Sequence, residues 1–141
     1  LDHAAAQGFT HLLTVPTDTP FIPPDLGARL AAALGAAGVA TAASHGRQHH
    51  AVALWRSGAA PALRAALSIG ERRLRVVAAS LGCAAAVWTD ADPDPFFTVV
   101  SPQDLVRARQ RAKTGLHCLE PVCRLECQHA ARGRVKPTTP N

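Results

Sequence analysis

The chain of 141 residues contains no methionine and no tyrosine, and aromatic residues make up only 4% of it. So few aromatic side chains argue against a surface on which nucleic-acid bases stack, and no nucleic-acid partner is expected. Without methionine the sequence has no ordinary initiator residue, so we expect it to be a piece of a longer protein. No apolar run reaches the ~18–20 residues that a membrane helix needs, and no membrane partner is expected.

Signals for secretion are also missing. The first residues, Leu1-Asp2-His3, lack the basic segment that precedes the apolar part of a signal peptide. The four cysteines are few for a disulfide scaffold of this length: Cys83, Cys118, Cys123 and Cys127. These features predict a cytoplasmic protein.

The composition that remains is that of a folded domain. Hydrophobic residues make up 48% and charged residues 18%, which excludes a solvated disordered chain. The sequence holds 29 alanines, whose small side chains suit close packing of helices on a sheet. Positive charge is concentrated at one end. Residues 1–105 carry seven Lys/Arg and eight Asp/Glu, whereas residues 106–141 carry eight and two, a pattern typical of a solvated tail.

Apolar periodicity predicts strands that alternate with helices. Strands are expected over 11–15, 39–43, 51–55, 83–88 and 96–100, and helices over 1–7, 26–34, 61–67 and 71–81, with a last helix that starts at 101–104. This alternation predicts an α/β layered domain. Ligands of such domains gather beyond the carboxyl ends of the strands, so the loop 16–20 is the predicted site.

Asp18 is the strongest candidate residue in that loop. A lone carboxylate just past a buried strand suits Mg²⁺, which keeps several waters and takes one or two protein carboxylates together with phosphate oxygens. The alternative is an Asx-turn, in which the carboxylate bonds the backbone of its own loop. Position alone leaves both interpretations open.

The residues around Asp18 carry a resemblance to a known family. The segment Leu12-Leu-Thr-Val-Pro-Thr-Asp-Thr-Pro-Phe-Ile-Pro-Pro-Asp-Leu26 is similar to the central motif of the molybdenum cofactor guanylyltransferases. Two later stretches follow in the order of that family, Gly70-Glu-Arg-Arg73 and Asp94-Pro-Phe-Phe-Thr-Val-Val-Ser-Pro-Gln-Asp-Leu105. The resemblance covers about residues 1–112 and corresponds to the carboxy-terminal half of the family or slightly more.

The resemblance implies a three-layer, Rossmann-like nucleotidyltransferase fold that is truncated at its amino terminus. Residues 1–113 would form the partial domain, and residues 114–141 a poorly ordered basic tail. The implied reaction transfers GMP from GTP to molybdenum-bound molybdopterin, with Mg²⁺ as the cofactor. Hand-over of the product to molybdoenzyme apoproteins or their chaperones would follow.

The same resemblance implies roles for individual residues. Asp18 would be the catalytic residue, binding Mg²⁺ and, through it, GTP. Arg72 and Arg73 would hold the acceptor phosphate, a contact for which a guanidinium is well suited. The alternative is a charged helix face on which Glu71 and Arg75 pair. Thr98 would contribute a hydrogen bond to the site.

Departures from the family pattern bear on activity. Thr98 and Val100 stand where the family carries two Asn residues, and Val100 has no side-chain donor. The Gly-rich loop with Arg and Lys that opens the family has no counterpart here. A cytidylyl-transferring relative and an inactive fragment without the GTP-binding loop therefore remain as alternatives.

The remaining histidines and cysteines receive weaker interpretations. His49 aligns with a histidine of the family and His50 replaces a proline, but a role in hydrogen-bonding a loop is more typical of such residues than catalysis. The tail carries five residues that could bind Zn²⁺: His117, Cys118, Cys123, Cys127 and His129. They lack paired Cys-X2-Cys spacing, so an unstructured end is the favoured interpretation.

Overall fold

The computed structural model describes residues 1–89 and 93–113. Four strands and five α-helices follow one another along this part of the chain. Their bounds are α1 Asp2–Ala6, β1 His11–Thr14, α2 Leu26–Leu34, β2 Val39–Ser44, β3 Arg47–Arg56, α3 Ala60–Ser68, α4 Leu74–Ser80, β4 Cys83–Trp88 and α5 Pro102–Lys113. A short 3-10 helix, Ser57–Ala59, joins β3 to α3.

The four strands form one mixed sheet in the order β1-β3-β2-β4. β3 is antiparallel to both β1 and β2, and β2 is parallel to β4. Because β1, β2 and β4 therefore run in the same direction, their carboxyl ends meet at one edge of the sheet. β2 and β3 form a hairpin through His45 and Gly46, both of which have positive φ.

Helices cover both faces of the sheet, which confirms the predicted three layers. On one face the buried side chains of α2 pack against alternate residues of the strands together with Phe96; the α2 residues are Leu26, Leu30 and Leu34. On the other face Ala78 of α4 packs with Val39, Ala53 and Trp55, next to Leu1 and Leu63. β2 lies between the two layers, and all six of its residues are buried. Its small, continuous Val-Ala-Thr-Ala-Ala-Ser sequence fits a strand covered on both sides.

The α2 helix follows directly from its sequence. Three leucines four residues apart place one apolar stripe against the sheet. The helix begins after Pro23-Pro24 and ends at Gly35, which has a φ of 49°. The predicted helix over 26–34 is confirmed.

Two predicted elements differ from the structure. The segment 96–100 is not a strand, because Asp94 starts a turn: its carboxylate accepts from the Phe96 amide at 2.9 Å and its carbonyl accepts from the Phe97 amide at 3.3 Å. The helix expected over 71–81 begins only at Leu74, because the Glu71 carboxylate bonds the Arg73 amide at 2.8 Å and holds the preceding residues in an extended turn. The interactions of Asp94 and Glu71 with nearby backbone amides thus override the local propensity.

Two stretches lie outside the described residues. Residues 90–92 follow β4 closely in the sequence, and residues 114–141 contain the predicted basic tail and its possible zinc ligands. Within the part of the chain that the structure describes, no helix combines the length and the apolar character needed to span a bilayer.

Candidate functional site

The candidate site lies at the edge of the sheet where β1, β2 and β4 end. The loop 15–20 follows β1, Ser44 is the last residue of β2, and Trp88 is the last residue of β4. β3 begins at the same edge, because its first residue, Arg47, pairs with Ser44 in the hairpin. This edge is where the order of elements predicts a ligand site.

Asp18 lies in the turn of that loop and is exposed. Among the hydrogen bonds of the described residues, the carboxylate of Asp18 makes none to the backbone of its own turn. The Asx-turn that the sequence left open as an alternative is therefore not formed. The carboxylate oxygens stay available to a ligand from solvent.

The backbone of Asp18 is attached to the segment 94–100. Its carbonyl accepts a hydrogen bond of 2.8 Å from the amide of Val99. This contact brings the first and the last of the three sequence motifs side by side. Thr98 is exposed next to this contact, and its hydroxyl donates weakly to the Phe96 carbonyl at 3.4 Å. Val100 points an apolar side chain into solvent and is 79% exposed.

A polar cluster missed by the sequence interpretation lies beside this segment. The hydroxyl of Ser44 donates to Oδ1 of Asp94 at 2.8 Å and is 2.8 Å from Nε2 of His49. A hydroxyl carries one hydrogen, so Nε2–H of His49 is the donor in the second contact. Ser44 is buried, at 1% exposure. The Asp94-Pro-Phe motif was a sequence signal for a loop, but nothing local connects it with Ser44, 50 residues earlier.

The environment of His49 favours the neutral imidazole. Burial lowers the pKa of His49, an effect that the Asp94 carboxylate opposes and that Arg47 and His50 reinforce. The ring also packs against Phe96, with centroids 4.9 Å apart. His49 thus hydrogen-bonds its neighbours, as the sequence interpretation favoured, while Nδ1 of His50 is buried and has no partner among the described residues.

The two arginines expected at the acceptor phosphate have different environments. The guanidinium of Arg73 binds Glu71 through two hydrogen bonds of 2.9 and 2.7 Å, which hold the pKa of the Glu71 carboxyl at about 2. The pair between Glu71 and Arg75, which belonged to the alternative of a charged helix face, does not form, because the helix does not include Glu71. Arg72 is exposed, and no ion pair of the described residues includes it.

An apolar groove of about 480 Å³ is lined by the first residue of α4 and by residues that precede Asp18. Leu74, the residue after Arg73, lines it together with Val15 and Pro16, two of the residues that precede Asp18. The other walls come from α1, α3 and the two strands β1 and β3. Arg72 and Asp18 do not themselves line the groove, although each is two residues away in sequence from a residue that does.

In the described part of the chain, side chains that could bind a metal do not form a cluster. Within residues 1–89 and 93–113 no group of three or more His, Cys, Asp or Glu side chains could hold a metal ion. Asp18 offers one exposed carboxylate. Mg²⁺ coordinated mainly by water and phosphate oxygens fits such a site.

Comparison with solved structures identifies the fold. Molybdopterin-guanine dinucleotide biosynthesis protein A from Archaeoglobus fulgidus superposes with a TM-score of 0.62 at 22% identity, over 80% of this chain and 61% of that one. The protein Aq1419 from Aquifex aeolicus VF5 reaches a TM-score of 0.57 at 10% identity, over 65% of this chain and 49% of that one. The described residues thus have the fold of a nucleotidyltransferase.

Sequence comparison then identifies the family. Residues 1–87 match the MobA-like NTP transferase domain, and the chain belongs to this family. The molybdenum cofactor guanylyltransferase of Rhodobacter capsulatus is 44% identical over 113 residues, which are 80% of this chain and 56% of that protein. The protein of the same name from Acidiphilium cryptum (strain JF-5) is 48% identical over 103 residues, which are 72% of this chain and 50% of that protein. The chain spans about half the length of these relatives.

Proposed function

We propose that this chain supplies the metal-binding part of a molybdenum cofactor guanylyltransferase, which transfers GMP from GTP to molybdenum-bound molybdopterin and releases pyrophosphate. The observation that carries the proposal is the exposed carboxylate of Asp18 just beyond β1, in a loop joined to the segment 94–100 by the Val99–Asp18 hydrogen bond. The names of the relatives that align over this region support the donor and the acceptor.

Asp18 is the proposed catalytic and metal-binding residue. When Mg²⁺ is bound, it neutralises charge on the phosphates of the donor. The role of Asp18 is to fix the position of the triphosphate at the edge of the sheet, so that the acceptor phosphate can approach in line with the leaving pyrophosphate. Thr98 is proposed as a second polar contact, because its exposed hydroxyl lies next to the residue that bonds Asp18.

Arg72 is the better candidate of the two arginines for the acceptor phosphate. Its guanidinium has no ion pair among the described residues, whereas Arg73 already binds Glu71 with both sides of its fork. An arginine that is not already paired can offer two parallel N–H donors to a phosphate. Arg73 is proposed to act indirectly, by fixing the turn that presents Arg72.

The experiment measures Mg-GTP affinity and GMP transfer for the protein at its full encoded length. Asp18→Asn keeps the size of the side chain and removes its charge. We expect this variant to bind Mg-GTP roughly tenfold more weakly, or weaker still, and to lose GMP transfer by a similar factor. Arg72→Ala is expected to raise KM for the acceptor and to leave Mg-GTP affinity unchanged. Competition between GTP and CTP identifies the donor base.

The matched control for Asp18→Asn is Asp25→Asn. Asp25 is a second exposed carboxylate, seven residues further along the same motif, and lies 3.7 Å from Arg29. We expect Asp25→Asn to bind Mg-GTP like the parent protein. Equal affinities for the parent and Asp18→Asn would overturn the site assignment.

A further inference from the structure

The polar cluster of Ser44, His49 and Asp94 lies beside the proposed metal site without reaching it. Its three side chains come from the end of β2, the start of β3 and the turn that precedes Phe96. All of its hydrogen bonds are internal to the fold. The cluster can affect Asp18 only through the parts of the chain that it holds in place.

The cluster fixes one end of the segment 94–99. Oδ1 of Asp94 accepts from the Ser44 hydroxyl at 2.8 Å and from the Phe96 amide at 2.9 Å. Phe96, two residues after Asp94, is only 2% exposed, with its ring against His49 and, edge-on, against Trp88 at 5.1 Å. The two hydrogen bonds to the Asp94 carboxylate and the burial of Phe96 leave this end of the segment little freedom.

The other end of the segment holds the loop of Asp18. The Val99 amide donates to the Asp18 carbonyl at 2.8 Å. Four residues therefore separate Asp94, which is anchored to the sheet, from Val99, which is bonded to the loop. Arg111 of α5 supports the segment from outside, since its guanidinium lies 4.6 Å from the centre of the Phe97 ring and 5.7 Å from that of Phe21.

We infer that Asp94 is a positioning residue, which, anchored by Ser44 and His49, holds the segment 94–99 in the place from which Val99 fixes the backbone of Asp18. The inference rests on the proposed function, because the position of Asp18 matters for catalysis only if its carboxylate binds the metal–nucleotide complex. The contacts of His49 support it, since Nε2–H donates to Ser44 and leaves the Ser44 hydroxyl hydrogen for Asp94.

Hydrogen bonds, and not the charge of Asp94, carry this role. An asparagine at position 94 keeps an Oδ1 that can accept from both Ser44 and the Phe96 amide, whereas an alanine keeps neither bond. The conservative variant Asp94→Asn should thus restore what Asp94→Ala loses. Ser44→Ala removes the bond to the sheet while leaving the Phe96 amide bond in place, and so it isolates the anchor.

The test uses the protein at its full encoded length and two measurements. Amide hydrogen exchange by NMR reports protection of the Val99 amide, and titration with Mn²⁺ and GTP reports the affinity of the metal site. We expect Asp94→Ala and Ser44→Ala to lower Val99 protection about tenfold, since the hydrogen bond that anchors the segment to the sheet is lost. The same two variants should also bind Mn²⁺–GTP more weakly than the parent protein. Asp94→Asn should keep most of the parent's Val99 protection and most of its Mn²⁺–GTP affinity.

Each other result contradicts the inference. Val99 protection that stays at the parent level in folded Ser44→Ala would show that the cluster does not hold the segment. An Asp94→Asn variant as impaired as Asp94→Ala would show that the carboxylate charge acts instead of the hydrogen bonds. Should Asp94→Ala fail to fold, Ser44→Ala and Asp94→Asn decide the question by themselves. Loss of Val99 protection without any effect of Asp18→Asn on Mn²⁺–GTP affinity would refute the proposed function and leave the mechanical link between Asp94 and Val99 intact.

Discussion

At the scale of single residues, two side chains at the edge of the sheet differ in exposure and in hydrogen bonding. Asp18 is exposed and keeps its carboxylate free of its own turn, whereas His49 is partly buried and hydrogen-bonded to Ser44. Asp18 could be identified from the sequence as a candidate metal ligand, because it is a lone Asp that follows an apolar strand. For His49 the sequence favoured a hydrogen-bonding role but could not identify the partners, because Ser44 and Phe96 belong to two other parts of the chain.

His49 makes the stability of the fold depend on pH. Its pKa in the folded state is lowered, chiefly by burial, below the ~6.5 of an unfolded histidine. The folded state therefore binds fewer protons than the unfolded state, and stability rises with pH wherever this difference exists. The contribution is fully present above about pH 6.5 and is lost as the pH falls through the lower pKa of the folded state.

The variant His49→Gln removes this titration while keeping a side-chain donor for Ser44. We expect urea unfolding between pH 5 and 7 to show a smaller loss of stability on acidification than in the parent protein. His3→Gln is the control, because His3 is exposed on α1, and its profile should match that of the parent. Identical slopes for the parent and His49→Gln would show that His49 does not titrate differently in the two states.

At the scale of elements, the close approach of α4 to β2 depends on one glycine. The amide of Gly38, just before β2, donates to the Leu81 carbonyl at 2.9 Å. A Cβ at position 38 would lie 2.8 Å from that same oxygen and 3.0 Å from Cβ of Leu81. Because the nearest atom belongs to the backbone, α4 or β2 would have to shift to accommodate a side chain.

Gly38→Ala is therefore expected to reduce the free energy of unfolding by about 1–3 kcal/mol. Denaturation by urea, followed by circular dichroism, measures the change. Gly27→Ala in α2 serves as the control, since nothing lies within 4 Å of the position of its added Cβ. The control should be unchanged or slightly more stable, because alanine favours helix over glycine. A parent-like stability of Gly38→Ala would mean that α4 and β2 are not packed this closely.

Most elements could be predicted because their signals are local. The leucines of α2 repeat every four residues, and β2 and β4 are short apolar runs bounded by Gly or polar residues. The segment 96–100 was predicted as a strand for the same reason, since Thr98, Val99 and Val100 favour β structure. In the structure a turn at Asp94 forms in place of the strand. This turn is stabilised by a hydrogen bond between Asp94 and Ser44 that no local sequence pattern reveals.

At the scale of the whole molecule, the described residues leave an apolar groove beside β1. Leucines from α3 and α4 line the groove; Leu67 is 53% and Leu74 is 41% exposed. The Asp2–Arg64 ion pair, with a contact of 2.8 Å, contributes residues to the same lining. An open apolar depression of this kind binds hydrophobic dyes and favours association.

We expect the 141-residue chain to bind a hydrophobic fluorescent dye such as ANS in its folded state. Leu67→Lys places a charge in the groove and should reduce the fluorescence, while Ile69→Lys should not. Ile69 is 83% exposed and does not line the groove, so it controls for the loss of one exposed apolar residue. Equal fluorescence of the two variants would show that the dye binds elsewhere.

The central claim is that Asp18 is where a divalent cation and a nucleotide meet. Paramagnetic broadening by Mn²⁺ locates the cation directly, because amide signals near the ion are lost first. In the presence of GTP, we predict that the amides of Thr17, Asp18, Thr19 and Val99 broaden before all others, and that Asp18→Asn abolishes the effect. Broadening that spares these amides, or that persists unchanged in Asp18→Asn, would contradict the account.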